Sequence, residues 1–106
     1  MNMIITTSEL IVGKEIVETI GLVRGSTVRA RNIGHDIFAG LKNIVGGEIS
    51  EYTKLLADAR EQSIQRMTDD AKRLGANAIV EVRFSTSTVM KGCSEILAYG
   101  TAVKIK

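Results

Sequence analysis

The stretch Ser50–Leu74, SEYTKLLADAREQSIQRMTDDAKRL, decides the fold because it contains neither glycine nor proline. Its apolar and small residues recur at steps of three or four, which places them on one face of an α-helix. This stripe consists of Tyr52, Leu56, Ala59, Ser63, Met67, Ala71 and Leu74. Ser50 can cap the N-terminus, and Gly75 can supply the left-handed residue that ends a helix. The sequence therefore predicts one long helix against which the rest of the chain packs.

The residues before this helix predict strands and one shorter helix. Glu15–Val23 and Thr27–Arg31 alternate as β-strands do, and Arg24–Ser26 between them is a turn or bulge signal. The two runs are therefore two strands or one long bent strand. Met3–Thr7 is a shorter β-prone run, and Asp36–Val45 has the spacing of a helix.

Two further strands follow the long helix, and they predict a hairpin. They are Ala78–Ser87 and Ser94–Ile105, with a turn at Met90–Cys93 between them. In the first strand one apolar row is predicted: Ala78, Val80, Val82 and Phe84. The predicted order is β-β-α-α-β-β, an α+β domain with an antiparallel sheet. We expect Leu56, Met67, Val80 and Phe84 to be buried between the long helix and the sheet.

The last strand is apolar on both faces, and this predicts self-association. One face carries Leu97, Tyr99, Thr101, Val103 and Ile105, and the other carries Ile96, Ala98, Gly100 and Ala102. The predicted helices can cover only one face of a small sheet. An apolar face left in water is rare on soluble monomers, so we expect another subunit to cover the second face.

The totals predict one soluble domain spanning residues 1–106. The 14 basic and 12 acidic residues give a net charge of +2, which is too balanced to indicate a nucleic-acid partner. The single cysteine cannot form an intrachain disulfide, and this favours a cytoplasmic location. The first ten residues, MNMIITTSEL, lack the features of a signal peptide. Since no apolar run approaches the roughly 18 residues of a membrane helix, we expect no membrane association.

Three stretches resemble one protein family: residues 32–61 (NIGHDIFAGLKNIVGGEISEYTKLLADARE), 74–87 (LGANAIVEVRFSTS) and 95–105 (EILAYGTAVKI). On these stretches the chain resembles the YbjQ-like family, small bacterial and archaeal proteins labelled for heavy-metal binding. The resemblance implies a dodecin-like subunit and a ring-shaped homo-oligomer, a pentamer, but little chemistry. In the family pattern Gly is expected where this chain has Glu81, a small residue at Cys93, and Arg at His35. On that pattern, Cys93 and His35 are not the basis of a metal site common to the family.

The candidate metal ligands are Met90, Cys93 and His35. A structural zinc site takes about four closely spaced Cys or His ligands, and this chain has one of each. Met90 and Cys93 share one predicted turn, and their thioether and thiol suit a soft ion such as copper(I). The competing interpretation is that both residues only fill space in the turn. We therefore assign no cofactor, and a soft metal ion remains the alternative.

No catalytic constellation is evident in the sequence. A nucleophilic Cys93–His35 dyad would require the two residues to meet in space, and no pattern predicts this. Asp69 pairs favourably with Arg73 on the helix, while Glu81 and Arg83 are expected to find charged partners across the strands. The primary hypothesis is a non-enzymatic homo-oligomeric binding or scaffold protein. The alternatives are a soft-metal-binding protein and an enzyme whose site is shared between subunits.

Overall fold

The computed structural model describes residues 2–30, 50–90 and 93–106 of the chain. Within them, four β-strands form one sheet and one α-helix packs on it. The strands are β1 (Ile4–Ile5), β2 (Ile16–Ala30), β3 (Ala78–Met90) and β4 (Cys93–Ile105), and the helix α1 is Ser50–Arg73. The predicted α+β class is confirmed, and the two runs before the helix are one long strand. The predicted helix Asp36–Val45 lies outside the described residues.

Helix α1 ends one residue before the predicted boundary and closes as its sequence indicates. The N–H of Ala76 donates to the carbonyl of Ala71, and the N–H of Gly75 donates to that of Lys72. Gly75 has a φ of +86°, so these bonds form the Schellman motif that satisfies the last free carbonyls of a helix. Leu74, the last residue of the predicted stripe, follows the helix and is 40% exposed.

The stripe of α1 packs on β2 and β4. Ala59, Ser63, Met67 and Ala71 are fully buried there. The main cluster of this core is made by Met67 and Ala71 of α1 with Val23, Ala76, Ile79, Val82, Ala98 and Ala102. The stripe therefore forms the core where it crosses these strands, whereas Leu56, nearer the start of the helix, is only half-buried.

A buried hydroxyl fixes the helix to two strands. Ser63 Oγ lies 3.0 Å from Thr27 Oγ1 on β2 and 2.9 Å from the carbonyl oxygen of Ile96 on β4. It also lies 3.0 Å from the carbonyl oxygen of Ala59, one turn earlier in α1. Since Ser63 is 0% exposed, these bonds compensate for removing its hydroxyl from water.

The sheet is mixed, with strand order β1-β3-β4-β2. β4 pairs antiparallel with both β2 and β3, which confirms the predicted hairpin of the last two strands. β1 pairs parallel with β3, so the prediction of a wholly antiparallel sheet is wrong. The reason is that β1 and β2 are not joined by a tight hairpin turn. The ten residues between them run back along the sheet, so β2 begins at the same end as β1 and runs in the same direction.

The predicted apolar row of β3 is wrong because Glu81 interrupts the alternation. Glu81 has a φ of +54°, and the register with β4 shifts between Val80 and Arg83. This bulge places Val82 in the core beneath α1, whereas Val80 is buried on the opposite face of the sheet. Phe84 was expected in the core but is 47% exposed, because α1 lies over β2 and β4 rather than over the far half of β3.

We call the sheet surface opposite α1 the helix-free face. At one end of this face Ala78, Val80 and Val103 are buried, and Ile11 from the N-terminal connection packs on them together with Ile16 and Ile105. Val23, Gly25 and Thr27 of β2 face α1. Because side chains alternate along a strand, Leu22 and Val28 lie on the helix-free face. Leu22 is 65% exposed and Val28 is 54% exposed. The described residues therefore cover only part of the second apolar face.

Glu81→Gly is expected to stabilise the protein. A positive φ costs an L-residue with a side chain roughly 1–2 kcal/mol, whereas glycine adopts it without that strain. After the larger entropy loss of glycine on folding, we expect a gain of about 0.5–1 kcal/mol in the free energy of unfolding. Urea denaturation of the variant beside Arg83→Gly, a nearby strand position without positive φ, measures it. A destabilised Glu81→Gly protein would contradict this reading of the bulge.

Candidate functional site

The candidate metal ligands meet only in part. Met90 and Cys93 end the two strands of the hairpin and are directly paired in its register. Cys93 is a free, half-buried cysteine that also pairs with Ala30 of β2. His35 lies outside the described residues. The structure therefore brings two of the three predicted positions together.

A multidentate site of harder ligands is not found in the part of the chain that the structure describes. There, no group of three or more His, Cys, Asp and Glu residues is close enough together to hold a metal ion. Zinc takes about four such ligands in a structural site, so the described residues of one subunit do not fit a zinc site. The Met90–Cys93 pair offers at most two soft ligands.

A group of charged residues lines a concavity between α1 and the outer edge of β2. A cleft of about 720 Å³ is lined by Leu22, Arg24, Arg66, Asp69, Asp70 and Arg73. Arg73 Nη2 lies 2.8 Å from Asp70 Oδ1, the single ion pair within the described residues. The N–H of Arg24 also donates to the Asp70 carboxylate, and Arg66 Nη1 donates to the carbonyl of Ser26.

The carboxylate of Asp70 is held in its charged form. The hydrogen bond from Arg73 lowers the pKa of Asp70 from its ordinary value, and the Arg24 N–H acts in the same direction against the opposing effect of partial burial. A lowered pKa makes the carboxylate a weaker proton acceptor, whereas a catalytic carboxylate that acts as a general base usually has its pKa raised toward neutral pH.

These contacts indicate that the cleft protects a strand edge. Arg24 and Ser26 direct their backbone N–H and C=O groups outward from β2, where a further strand would bind. Asp70 and Arg66 occupy those groups with side chains of α1. Side-chain cover of this kind is one way in which proteins prevent unwanted pairing of edge strands. Among the described residues that line the cleft there is no His, Cys or Ser side chain, and the contacts of Asp70 and Arg66 hold the helix against the strand edge.

Two predicted charge contacts are wrong. Arg73 pairs with Asp70 instead of Asp69, and Asp69 accepts a hydrogen bond from Gln65 Nε2 at 2.9 Å. Arg83 donates to the backbone carbonyls of Thr7 and Val82, each at 2.9 Å, and among the described residues it forms no ion pair with a charged residue of a neighbouring strand. In both places another partner binds the arginine: the Asp70 carboxylate binds Arg73, and backbone carbonyls bind Arg83.

The helix-free face carries the second candidate surface. A shallow depression there is lined by Leu22, Glu81, Arg83, Tyr99, Gly100 and Thr101. Tyr99 lies in register between Arg24 on β2 and Arg83 on β3, and its side chain is 36% exposed. With the neighbouring Leu97, Leu22 and Val28, this forms the open part of the helix-free face. It combines apolar side chains with charges at its rim, a composition that protein contact surfaces also have.

Sequence reasoning missed the contacts of Arg24, Arg66 and Asp70. Arg66 and Ser26 are 40 residues apart, and no local spacing signals their meeting.

Among the described residues no helix is long and apolar enough to span a membrane.

Comparisons with known proteins agree on one family. A family model described as "Putative heavy-metal-binding", named YbjQ, matches residues 3–106. The chain is 58% identical over 103 residues to a UPF0145 protein of Methanosarcina acetivorans, covering 97% of each chain. It is 57% identical over 105 residues to a UPF0145 protein of Archaeoglobus fulgidus, covering 99% of this chain and 97% of the relative.

A solved structure supports the fold. The crystal structure of a DUF74-family protein of unknown function from Pediococcus pentosaceus superimposes with a TM-score of 0.64, although the two sequences are 18% identical. The match covers 98% of both chains. At that identity it shows the fold alone, whereas the family model and the relatives span almost the whole sequence. The chain therefore belongs to the YbjQ family of UPF0145 proteins.

Proposed function

We propose that the chain is the subunit of a small homo-oligomeric, non-enzymatic binding or scaffold protein. The observation that carries this proposal is the open part of the helix-free face. There the exposed fraction is 65% for Leu22, 54% for Val28 and 36% for Tyr99. The half-buried Leu97 lies beside them. A contiguous apolar surface with a charged rim is typical of protein–protein contacts.

The arrangement of groups in the described residues supports a role without catalysis. In the charged cleft one of the two carboxylates, Asp70, and two of the arginines, Arg66 and Arg73, are engaged in the contacts that cover the edge of β2. The buried hydroxyl of Ser63 is engaged with two strands. These polar groups hold the fold together, and the surface that remains open is suited to contact. The resemblance to the YbjQ-like family favours a ring of five dodecin-like subunits.

The test is the mass of the protein in solution. Size exclusion coupled to light scattering at micromolar concentration should give a multiple of the 11.5 kDa chain. Leu22→Glu, which puts a charge on the open part of the helix-free face, should lower this mass. Leu74→Glu, which puts the same charge at the far end of α1, should not. A wild-type mass near that of one chain would contradict the proposal, and two to four subunits would remove only the pentamer.

One observation favours soft-metal binding as a second candidate. Met90 and Cys93 are paired in register at the end of the hairpin, which places a thioether and a thiol residue side by side in the backbone. Such ligands favour copper(I). On the first proposal, a chelator leaves the melting temperature unchanged. A large drop on chelation that Cys93→Ser abolishes, and that Met67→Leu does not, would favour the second.

A further inference from the structure

The cleft between α1 and β2 keeps positive charge that its own carboxylates do not neutralise. Three arginines and two aspartates line it together with Leu22. Among the described residues one ion pair joins these groups, that of Arg73 with Asp70. The guanidinium groups of Arg24 and Arg66 therefore have no carboxylate partner there. With three guanidinium groups against two carboxylates, the lining carries one positive charge in excess.

Arg66 is held in position by a contact that leaves its charge in place. Its Nη1 donates to the carbonyl oxygen of Ser26, which is a neutral acceptor. A guanidinium group has five N–H donors in a planar fork, so one such bond leaves most of them for another acceptor. The bond also places the group at the edge of β2 before any ligand arrives. Arg66 therefore presents a fixed positive charge to the cleft.

Arg24 presents a second positive charge to the same cleft. It precedes Ser26 by two residues on β2, a distance of about 7 Å along the strand, and its side chain is exposed. The pKa of Asp70 is lowered first by the hydrogen bond from Arg73, and the charge of Arg24 contributes to the same lowering. The Arg24 guanidinium therefore lies on the side of the strand edge that faces Asp70.

Asp69 offsets part of this charge. Its carboxylate accepts a hydrogen bond from Gln65 Nε2 at 2.9 Å, and this donor is neutral. Asp69 therefore keeps its negative charge at the lining of the cleft, whereas the charge of Asp70 is matched by Arg73. An anion in the cleft is attracted by the two arginines without carboxylate partners and repelled by Asp69. This opposition lets a variant of Asp69 test the site in the opposite direction from a variant of Arg24.

We propose that the cleft binds a small molecule through a phosphate or diphosphate group, with the guanidinium groups of Arg24 and Arg66 as its charged contacts. The planar fork of arginine matches the oxygens of a phosphate in two parallel hydrogen bonds. The volume of about 720 Å³ lies within the roughly 300–1,000 Å³ of small-molecule sites, so it has room for the rest of such a molecule beside Leu22. The site lies at the α1–β2 edge and not on the helix-free face. The inference therefore goes beyond the proposed oligomer and does not rest on it.

Calorimetric titration of the full chain with inorganic pyrophosphate at constant ionic strength tests the site. We expect saturable binding at one site per chain. Arg24→Gln should weaken it about tenfold through the loss of charge-assisted hydrogen bonds, while keeping the backbone N–H that Asp70 accepts. Asp69→Asn should tighten it several-fold, because it removes the repelling charge. Arg60→Gln is the matched control, since it removes the same charge from an exposed position of α1 outside the cleft and should leave the affinity unchanged.

Three outcomes of the titration would overturn the inference. The first is that pyrophosphate does not bind. The second is an equal loss in Arg24→Gln and Arg60→Gln, which would show attraction to the overall charge of the protein. The third is a weaker affinity in Asp69→Asn. Binding of the dicarboxylate malonate as tightly as pyrophosphate would overturn the assignment to phosphate.

Two further measurements separate this site from other sources of the same results. In sedimentation with vesicles of phosphatidic acid and phosphatidylcholine, the protein should stay in the supernatant. Sedimentation that Arg24→Gln abolishes would assign the phosphate to a lipid headgroup and overturn the small molecule. Light scattering of Arg24→Gln should give the mass of the wild type, and unchanged helical circular dichroism should show that it is folded. A lost assembly in this variant would overturn the independence of the site from subunit contact.

Discussion

Gly25→Ala is expected to destabilise the protein strongly. Helix α1 crosses β2 so closely at Gly25 that an added Cβ would lie less than 3.0 Å from the Ser63 carbonyl oxygen and the Met67 amide nitrogen. Both are backbone atoms, so neither can move without shifting the helix. Overpacking of a rigid contact typically costs 1–3 kcal/mol, and we expect about 3 kcal/mol here.

The measurement is urea denaturation at a fixed protein concentration, because association would add to the apparent stability. Ser26→Ala is the matched control, since it changes the next residue while keeping the backbone carbonyl that Arg66 binds. Surface substitutions of this kind usually change stability by less than about 0.5 kcal/mol. If Gly25→Ala were as mild as its control, the close crossing of helix and strand would be wrong.

Gly25 also shows where sequence reasoning reaches its limit. Its position within Arg24–Ser26 signals a break or bulge, and alternation continues through it in the structure. The reason for a glycine here is the approach of a helix whose contacting residues follow about 40 positions later. No local pattern carries that distance, so the sequence predicts the strands on either side but not the purpose of the residue between them.

Features set by neighbours in the chain were predicted best. The helix boundaries are confirmed within one residue, since its closing glycine and its apolar spacing are local signals. The faces of β4 are confirmed for the same reason: Ile96, Ala98 and Ala102 are buried beneath α1, and Tyr99 lies on the other side. In β3, one residue with positive φ was enough to invalidate the predicted row beyond Val80.

The candidate sites follow the same division. The pairing of Met90 with Cys93 follows from a hairpin that the sequence predicts. The contacts of Asp70 with the Arg24 backbone, and of Arg66 with Ser26, depend on where α1 lies over β2. Sequence spacing predicted an ion pair between Asp69 and Arg73. Helical periodicity carries no information on the strand edge, where Asp70 also accepts a hydrogen bond from the Arg24 N–H.

Met67→Ala is expected to cost about 2–5 kcal/mol of the free energy of unfolding. Met67 is fully buried and packs in the main core cluster with Val23, Ala71 and Ile79. Truncation removes the apolar contacts of its side chain and leaves a cavity that the backbone of α1 and β2 can fill only in part. The sequence predicted this residue in the core, and its position at the crossing near Gly25 explains why little relaxation is possible there.

Leu74→Ala provides the comparison, because both residues belong to the predicted stripe but Leu74 follows the end of α1 and is 40% exposed. Its truncation should cost about 1 kcal/mol or less, since much of the side chain already contacts water. Denaturation curves of both variants at one protein concentration give the two values. If Leu74→Ala cost as much as Met67→Ala, the stripe would continue to be core beyond Arg73, and the observed end of the packing surface would be wrong. A loss below about half a kcal/mol for Met67→Ala would remove the crossing of α1 and β2 as the centre of the core.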